Sequence, residues 1–206
     1  MGPYERYVLP HVVKWLLGSG EVHKNRKLAL AGVTGRVLEV GFGNGHNLQH
    51  YTENVMELVG IDPSPQSKKL AQEEIGKVTF PVSVHAGVAE ELPFDDQTFD
   101  TVAMTYTLCT VTDPIRALSE IKRVLKPDGK FHFIEHGLSN DEKVQRWQKR
   151  LNGLQRIIGG GCNLTRDHRA LMKEAGMNVE SMENYYLKNG PRIMTYTYRG
   201  IASQTA

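Results

Sequence analysis

The feature that most constrains this chain is an apolar stretch that runs directly into a glycine-rich turn. Residues 37–45 have the sequence VLEVGFGNG, and a second short apolar stretch ends at Asp62. Glycines at a strand end let the backbone turn tightly and approach a ligand, while a following helix can present unpaired N–H groups to it. A carboxylate that closes the next strand can accept hydrogen bonds from both hydroxyls of a ribose. The two stretches together predict a nucleoside-binding site.

The details of the turn indicate which kind of nucleoside. A dinucleotide fingerprint has glycine at its first, third and sixth positions, whereas here Gly41, Gly43 and Gly45 alternate and His46 occupies the sixth position. Glu39 adds a carboxylate at the strand end, which would repel a pyrophosphate but attract an ammonium or sulfonium group. A cationic cofactor without phosphates fits this turn better than a dinucleotide.

An acidic residue followed by alternating glycines resembles the first motif of the class I S-adenosylmethionine-dependent methyltransferases. Residues 87–96 (GVAEELPFDD) and 98–100 (TFD) resemble the family's adenine-side loop and its fourth strand, and residues 125–130 (LKPDGK) resemble the turn into the fifth. Many members carry, after the loop glycine, an aspartate that bonds the adenine amino group. This chain has Val88 there, so Glu90 or a backbone group is expected to take that role.

The resemblance implies S-adenosylmethionine as cofactor, S-adenosylhomocysteine as product, and a set of cofactor-contacting residues along the ends of four strands. Glu39 is expected to orient the methionine ammonium group, and Asp62 to bind the ribose. The full expected set is Glu39, Gly41, Gly43, Asn44, Gly45, Asn47, Asp62, Pro63, Ser64, Gly87, Ala89, Glu90, Thr105, Tyr106 and Thr107.

Three segments outside the shared core carry a closer resemblance. They are residues 4–10 (YERYVLP), 106–110 (YTLCT) and 161–166 (GCNLTR). The last two resemble the vertebrate microsomal thiol methyltransferases and their small bacterial relatives in the methyltransferase-like group. This resemblance implies that the acceptor is a small thiol or another soft nucleophile.

Composition and alternation predict the fold class. Apolar strand patterns at 37–40, 58–61, 81–84, 101–105, 131–134, 179–186 and 192–198 alternate, over the first five, with helical patterns. Such alternation predicts an α/β fold with a parallel sheet that has helices on both faces. The family resemblance implies the Rossmann-like, mostly parallel seven-stranded sheet of the class I methyltransferases. The last two strands have too short a connection for a crossover, so they should pair antiparallel. Asp113 followed by Pro114 predicts the start of a helix.

Length and charge limit the organisation and the partners. The chain has 206 residues and a formal charge of +2, which suits one α/β domain and lacks the basic signature of nucleic-acid binding. We expect a helical lid at 1–30, a cofactor-binding core at 36–135 and an acceptor-side region at 136–206. No apolar run long enough to span a membrane and no signal peptide is evident, so a cytoplasmic protein, monomer or homodimer, is expected. Cys109 and Cys162 lack metal-ligand spacing, so no metal site is predicted.

Methyl transfer demands alignment and exclusion of water more than a dedicated acid. A thiol acceptor must still lose a proton, and His136, which follows the fifth strand, is the candidate general base. The alternative for His136 is a hydrogen bond to a neighbouring loop. Tyr106, Thr107 and Leu108 are expected to line the methyl-transfer face, whereas packing roles are expected for both cysteines.

Two amphipathic segments allow alternative interpretations. The apolar residues between 4 and 17 predict a helix that docks against another surface. The family resemblance implies that this helix closes over the cofactor as a lid. The alternative is a helix that lies on a membrane with help from basic residues that include Arg26. The helix that follows residues 140–142 is expected to be half-buried through Val144, Trp147, Leu151 and Leu154.

Three rival functions remain open from the sequence. Phospholipid amine methylation would use the amphipathic N-terminus at a bilayer. A nicotinamide oxidoreductase would have to tolerate a pyrophosphate beside Glu39. A non-catalytic protein would bind S-adenosylmethionine without turnover.

Overall fold

The computed structural model describes residues 20–188 and 190–204 and contains one seven-stranded sheet, in the order β3-β2-β1-β4-β5-β7-β6. The strands are β1 (Gly35–Val40), β2 (Val55–Asp62), β3 (Val82–Ala86), β4 (Phe99–Thr105), β5 (Leu125–His136), β6 (Met177–Tyr186) and β7 (Tyr196–Gln204). Strands β1 to β5 pair in parallel, whereas β7 runs antiparallel to both β5 and β6. The predicted fold class and the antiparallel ending are confirmed.

Seven helices surround this sheet within the described residues. They are α1 (Gly20–Leu30), α2 (Ser67–Leu70), α3 (Gln72–Ile75), α4 (Pro114–Val124), α5 (Glu142–Ile158), α6 (His168–Glu174) and α7 (Arg192–Thr195), and a 3-10 turn covers Leu48–His50. Helix α4 begins as predicted, because the Asp113 side chain accepts hydrogen bonds from the backbone N–H groups of Ile115 and Arg116.

Two clusters of buried apolar side chains pack against the sheet. Leu38 and Val40 of β1 belong to one cluster, together with Leu118 and Ile121 of α4, whereas Val37 belongs to the other cluster. This division follows from the period of two in a strand, which sends successive side chains to opposite faces. The sheet is therefore covered on both faces, and its carboxyl edge is left to carry the site.

The start of the last strand was predicted wrongly. Residues 192–195 form the short helix α7, in which the Met194 N–H bonds to the Pro191 carbonyl, and the strand begins at Tyr196. The strand also continues past the predicted end at residue 198. Gly200 permits this continuation, because a Cβ there would lie 2.2 Å from the carbonyl oxygen of Ser181 on β6.

The apolar face predicted for α5 is only partly buried. Val144 is buried, but the side chains of Trp147 and Leu154 are more than half exposed. The helix is held instead by buried Gln148, which donates to the carbonyls of Gly137 and Ile193. The residues of the predicted N-terminal helix at 4–17 lie outside the described part of the chain. No helix among the described residues combines the length and apolar character that crossing a bilayer requires.

Candidate active site

The glycine turn has the conformation that its sequence predicts. Gly41, Gly43 and Gly45 all have positive φ, between 53° and 79°, a range that side chains disfavour. A Cβ on Gly41 would lie 2.1 Å from the Thr107 hydroxyl oxygen, whereas a Cβ on Gly43 would have open space around it. The turn therefore packs tightly against the end of β4 at one glycine and exposes its backbone at the next. Asn44 is exposed at the tip.

Asp62 lies beside this turn at the end of β2. Its carboxylate accepts hydrogen bonds from the Gly43 N–H at 2.8 Å, from the Ser64 N–H at 2.9 Å and from the Ser67 hydroxyl at 2.7 Å. Asp62 and the glycine turn thus lie next to each other, as the sequence predicts. Some of the hydrogen bonds that the carboxylate can accept therefore hold the turn and the loop after β2 together. That loop includes exposed Pro63.

A buried polar network lies beneath the glycine turn. The Glu39 carboxylate is 1% exposed and accepts hydrogen bonds from the Tyr51 hydroxyl at 2.7 Å and from the Asn47 amide at 3.0 Å. Burial raises the pKa of Glu39 to about 7, although Tyr51, Arg26 and Asn47 oppose the shift. The Asn47 amide also donates to the Thr105 hydroxyl at 3.0 Å.

Arg26 completes this network, a role that was not predicted from the sequence. Its guanidinium donates to the Asn47 side-chain oxygen at 2.7 Å and to the Thr105 hydroxyl, and it lies 5.1 Å from the centre of the Tyr106 ring. Arg26 is 5% exposed and faces the sheet edge, which corrects its inclusion in a basic membrane-facing surface. Burial lowers its pKa, while Tyr106 and Glu39 act in the opposite direction.

The adenine-side residues follow β3. The Gly87 N–H donates to the Asp62 carbonyl at 3.1 Å, and Ala89 is buried in the core. The Glu90 carboxylate accepts from the backbone N–H groups of Thr112 and Asp113, at 2.8 and 3.1 Å. Glu90 thus connects this loop to the start of α4, and its contact with adenine stays a prediction.

The exit from β4 is fixed by a buried carboxylate of β5. Glu135 accepts hydrogen bonds from the backbone N–H groups of Thr107, Leu108 and Cys109, at 2.8, 2.9 and 3.3 Å. Tyr106, immediately before them, has a φ of 54°, an uncommon conformation for an aromatic residue that is typical of functional sites. Burial raises the pKa of Glu135, against the effect of these three N–H groups.

His136, the predicted general base, contacts a cysteine. Its Nε2 atom lies 3.0 Å from the Sγ atom of Cys162, and the Cys109 thiol completes a cluster of three side chains. The hydrogen bond with Cys109 lowers the pKa of Cys162, and the His136 contact adds to this effect. Both cysteines were expected to have packing roles. Sequence spacing could not reveal the cluster, because its members come from three distant segments.

The residues fit a cationic adenosine cofactor such as S-adenosylmethionine. The Asp62 carboxylate bonds to the glycine turn, and the Glu39 carboxylate is held by Asn47 just after that turn. The open space at Gly43 allows a ligand to approach the backbone. The buried Tyr106 hydroxyl and the Arg26 Nε have no hydrogen-bond partner among the described residues, so both groups next to the turn can still form a hydrogen bond.

Comparisons with known proteins identify relatives among methyltransferases. A family model described as a methyltransferase domain matches residues 38–133. The thiol S-methyltransferase TMT1B of Rattus norvegicus is 30% identical over 168 residues, which is 77% of this chain and 68% of the relative. The TMT1B protein of Homo sapiens is 30% identical over 176 residues, 80% of this chain and 72% of the relative. An uncharacterized methyltransferase of Bacillus subtilis, YcgJ, is 33% identical over 125 residues, but this chain spans only 48% of it.

Solved structures show the same fold. The crystal structure of Bacillus subtilis YcgJ superposes with a TM-score of 0.68 at 18% identity, covering 89% of this chain and 100% of that chain. A putative methyltransferase solved with the Haloferax volcanii Trm112 methyltransferase activator has a TM-score of 0.75 at 21% identity. The match covers 100% of this chain and 99% of that chain. The relatives, the family model and the sheet lead to one conclusion: the chain belongs to the class I S-adenosylmethionine-dependent methyltransferases.

Proposed function

We propose that this methyltransferase transfers the methyl group of S-adenosylmethionine to a small thiol. One observation carries the choice of acceptor: relatives named thiol S-methyltransferases match about four fifths of this chain, as in the human protein at 80%. The residues implied by the earlier resemblance, at 106–110 and 161–166, support it. They lie together at the carboxyl edge of the sheet, where the Asn163 N–H donates to the Cys109 carbonyl at 2.9 Å.

When bound, the cofactor supplies an electrophilic methyl group on a sulfonium, and this chain's residues supply position. We propose that Asp62 binds the ribose and that Glu39 orients the methionine ammonium group, directly or through Asn47. Tyr106 and Thr107, in the segment held by Glu135, would line the face along which the methyl group passes from cofactor to acceptor. Exclusion of water there favours attack by a sulfur nucleophile, since charge is lost as the methyl group moves.

The contacts of His136 bear on its proposed role as a general base. Its Nε2 atom already contacts the Cys162 thiol, so an acceptor proton would have to compete with that contact. Geometry therefore favours a role for His136 within the cysteine cluster over a direct proton transfer from the acceptor.

A matched acceptor series tests the proposal. The purified protein is incubated with S-adenosylmethionine and thiophenol, phenol or aniline, and the methylated products and S-adenosylhomocysteine are quantified by mass spectrometry. We expect methylation of thiophenol, little or none of phenol and aniline, and loss of activity in Asp62→Ala. Equal methylation of the oxygen or nitrogen acceptors would refute thiol selectivity, while cofactor binding without turnover on any thiol would favour the non-catalytic alternative.

A further inference from the structure

Three side chains with metal-binding atoms meet beside the proposed methyl-transfer face of Tyr106 and Thr107. The Sγ atoms of Cys109 and Cys162 and a ring nitrogen of His136 all lie within 4.8 Å of one another. Cys109 is buried, whereas His136 and Cys162 are partly accessible. The cluster therefore has one buried member and two members that keep some exposure to solvent.

The backbone around the cluster is fixed by contacts between distant segments. Besides the Asn163–Cys109 hydrogen bond, the Arg166 guanidinium donates to the carbonyls of Leu108 and Val111. On the other side, buried His168 holds the His136 carbonyl through Nε2 at 3.0 Å. The three side chains are thus presented by restrained backbone, which lowers the conformational cost of binding an ion.

The donor set is characteristic of a thiophilic divalent ion. Two thiolates and one imidazole suit zinc, and three protein ligands with a fourth position open are the arrangement of catalytic zinc sites. Zinc–sulfur and zinc–nitrogen bond lengths place tetrahedral donors about 3.5–3.8 Å apart. The His136–Cys162 contact of 3.0 Å would open by roughly half an ångström, which side-chain rotation can supply.

Charge balance is also consistent with a divalent ion. Two thiolates neutralise Zn²⁺ and imidazole adds no charge.

We propose that Cys109, His136 and Cys162 form a zinc site whose fourth position binds the acceptor thiol. The binding of zinc stands on the cluster alone, whereas the binding of the acceptor rests on the proposed function. A thiol that coordinates zinc releases its proton to solvent. Its sulfur then forms the bond to the methyl carbon while the bond from that carbon to the sulfonium sulfur breaks, and the electron pair of the broken bond stays on S-adenosylhomocysteine. The neutral thioether product is a poorer ligand and leaves.

Metal titration of the purified protein tests the site. The protein is treated with a chelator, kept reduced with a phosphine instead of a thiol, and titrated with Zn²⁺ against a chromophoric chelator and with Co²⁺ by absorbance. We expect one ion per chain and a thiolate-to-cobalt charge-transfer band. The variants Cys109→Ser and Cys162→Ser should bind zinc roughly 100-fold more weakly or worse. The control His85→Asn, which removes an exposed imidazole elsewhere, should bind as the unaltered protein does.

Circular dichroism and binding of S-adenosylhomocysteine show whether the serine variants fold. If they do not, X-ray absorption of the zinc-loaded, unaltered protein decides, since the proposal requires two sulfur ligands and one imidazole. Absence of tight zinc binding by the unaltered protein, or a ligand shell without sulfur, would overturn the site.

A separate measurement distinguishes the site from the function. Thiophenol added to the cobalt-loaded protein should change the visible spectrum, whereas phenol should not. A metal site that ignores thiophenol would overturn the acceptor role only. Failure to methylate any thiol would overturn the proposed function and leave the titration result intact.

Discussion

Binding of S-adenosylmethionine should weaken as the pH falls below neutrality, because of Glu39. This carboxyl is buried beneath the glycine turn, and burial raises its pKa to about 7 in the protein without cofactor. A cofactor ammonium group nearby favours the ionised form and lowers that pKa. Binding must then release a proton from the fraction of molecules in which Glu39 is protonated.

The size of the effect follows from the pKa. With a free-protein value of about 7 and a lower value in the complex, roughly 90% of the free molecules are protonated at pH 6 and roughly 10% at pH 8. The affinity should therefore fall about tenfold between pH 8 and pH 6. The free energy of unfolding changes with pH in the opposite direction. A raised carboxyl pKa favours folding at pH values below the pKa of the unfolded chain, and that advantage, about 3 kcal/mol, is lost as the pH rises through 7.

Calorimetric titration at pH 6, 7 and 8, in two buffers with different ionisation enthalpies, measures both the affinity and the released proton. The control is Glu39→Gln, which cannot titrate but can accept from Asn47 and donate to the Tyr51 hydroxyl. We expect weaker binding by this variant at pH 8 and a flat pH profile. An affinity of the unaltered protein that is constant over this range, with no proton released, would show that Glu39 does not face the ammonium group.

Three further substitutions test the remaining framework. Glu135→Gln presents an amide donor to backbone N–H groups, so the free energy of unfolding measured in urea should fall by about 1–3 kcal/mol, and an unchanged value would contradict its role. Arg26→Lys cannot span two acceptors with one ammonium group, so calorimetry should show roughly tenfold weaker cofactor binding, and equal binding would exclude Arg26 from the site. Gly41→Ala forces a Cβ against Thr107 at positive φ and should cost about 1–3 kcal/mol in thermal unfolding, whereas Gly153→Ala, with open space in α5, should be neutral or stabilising.

The sequence predicted those parts of the site that are local in the chain. The turn from β1 into Gly41 and the carboxylate at Asp62 each occupy a few consecutive residues, so residue type and spacing carry the information. The start of α4 at Asp113 is predictable for the same reason, since a capping side chain bonds to the N–H groups just after it.

The parts that the sequence did not predict depend on contacts between distant segments. Arg26 resembles any exposed basic residue on a polar helix until Asn47 and Thr105 surround its guanidinium. Cys109 and Cys162 are too far apart in the chain to match a metal-binding motif. Only the packing of the loop after α5 against the end of β4 brings the two thiols together.

The strand order explains how one edge can serve both cofactor and acceptor. Strand β4 lies between β1 and β5, and Thr105 pairs with Ile134, so Glu135 reaches the N–H groups that follow Tyr106. One face of this short segment meets the Arg26–Glu39 network, and its other end carries Cys109 into the cluster. Because Glu135 fixes the segment between them, the pairing register of β4 and β5 holds the Tyr106 end and the Cys109 end of the segment at a set separation. A displacement reaction that depends on alignment gains most from such a rigid separation.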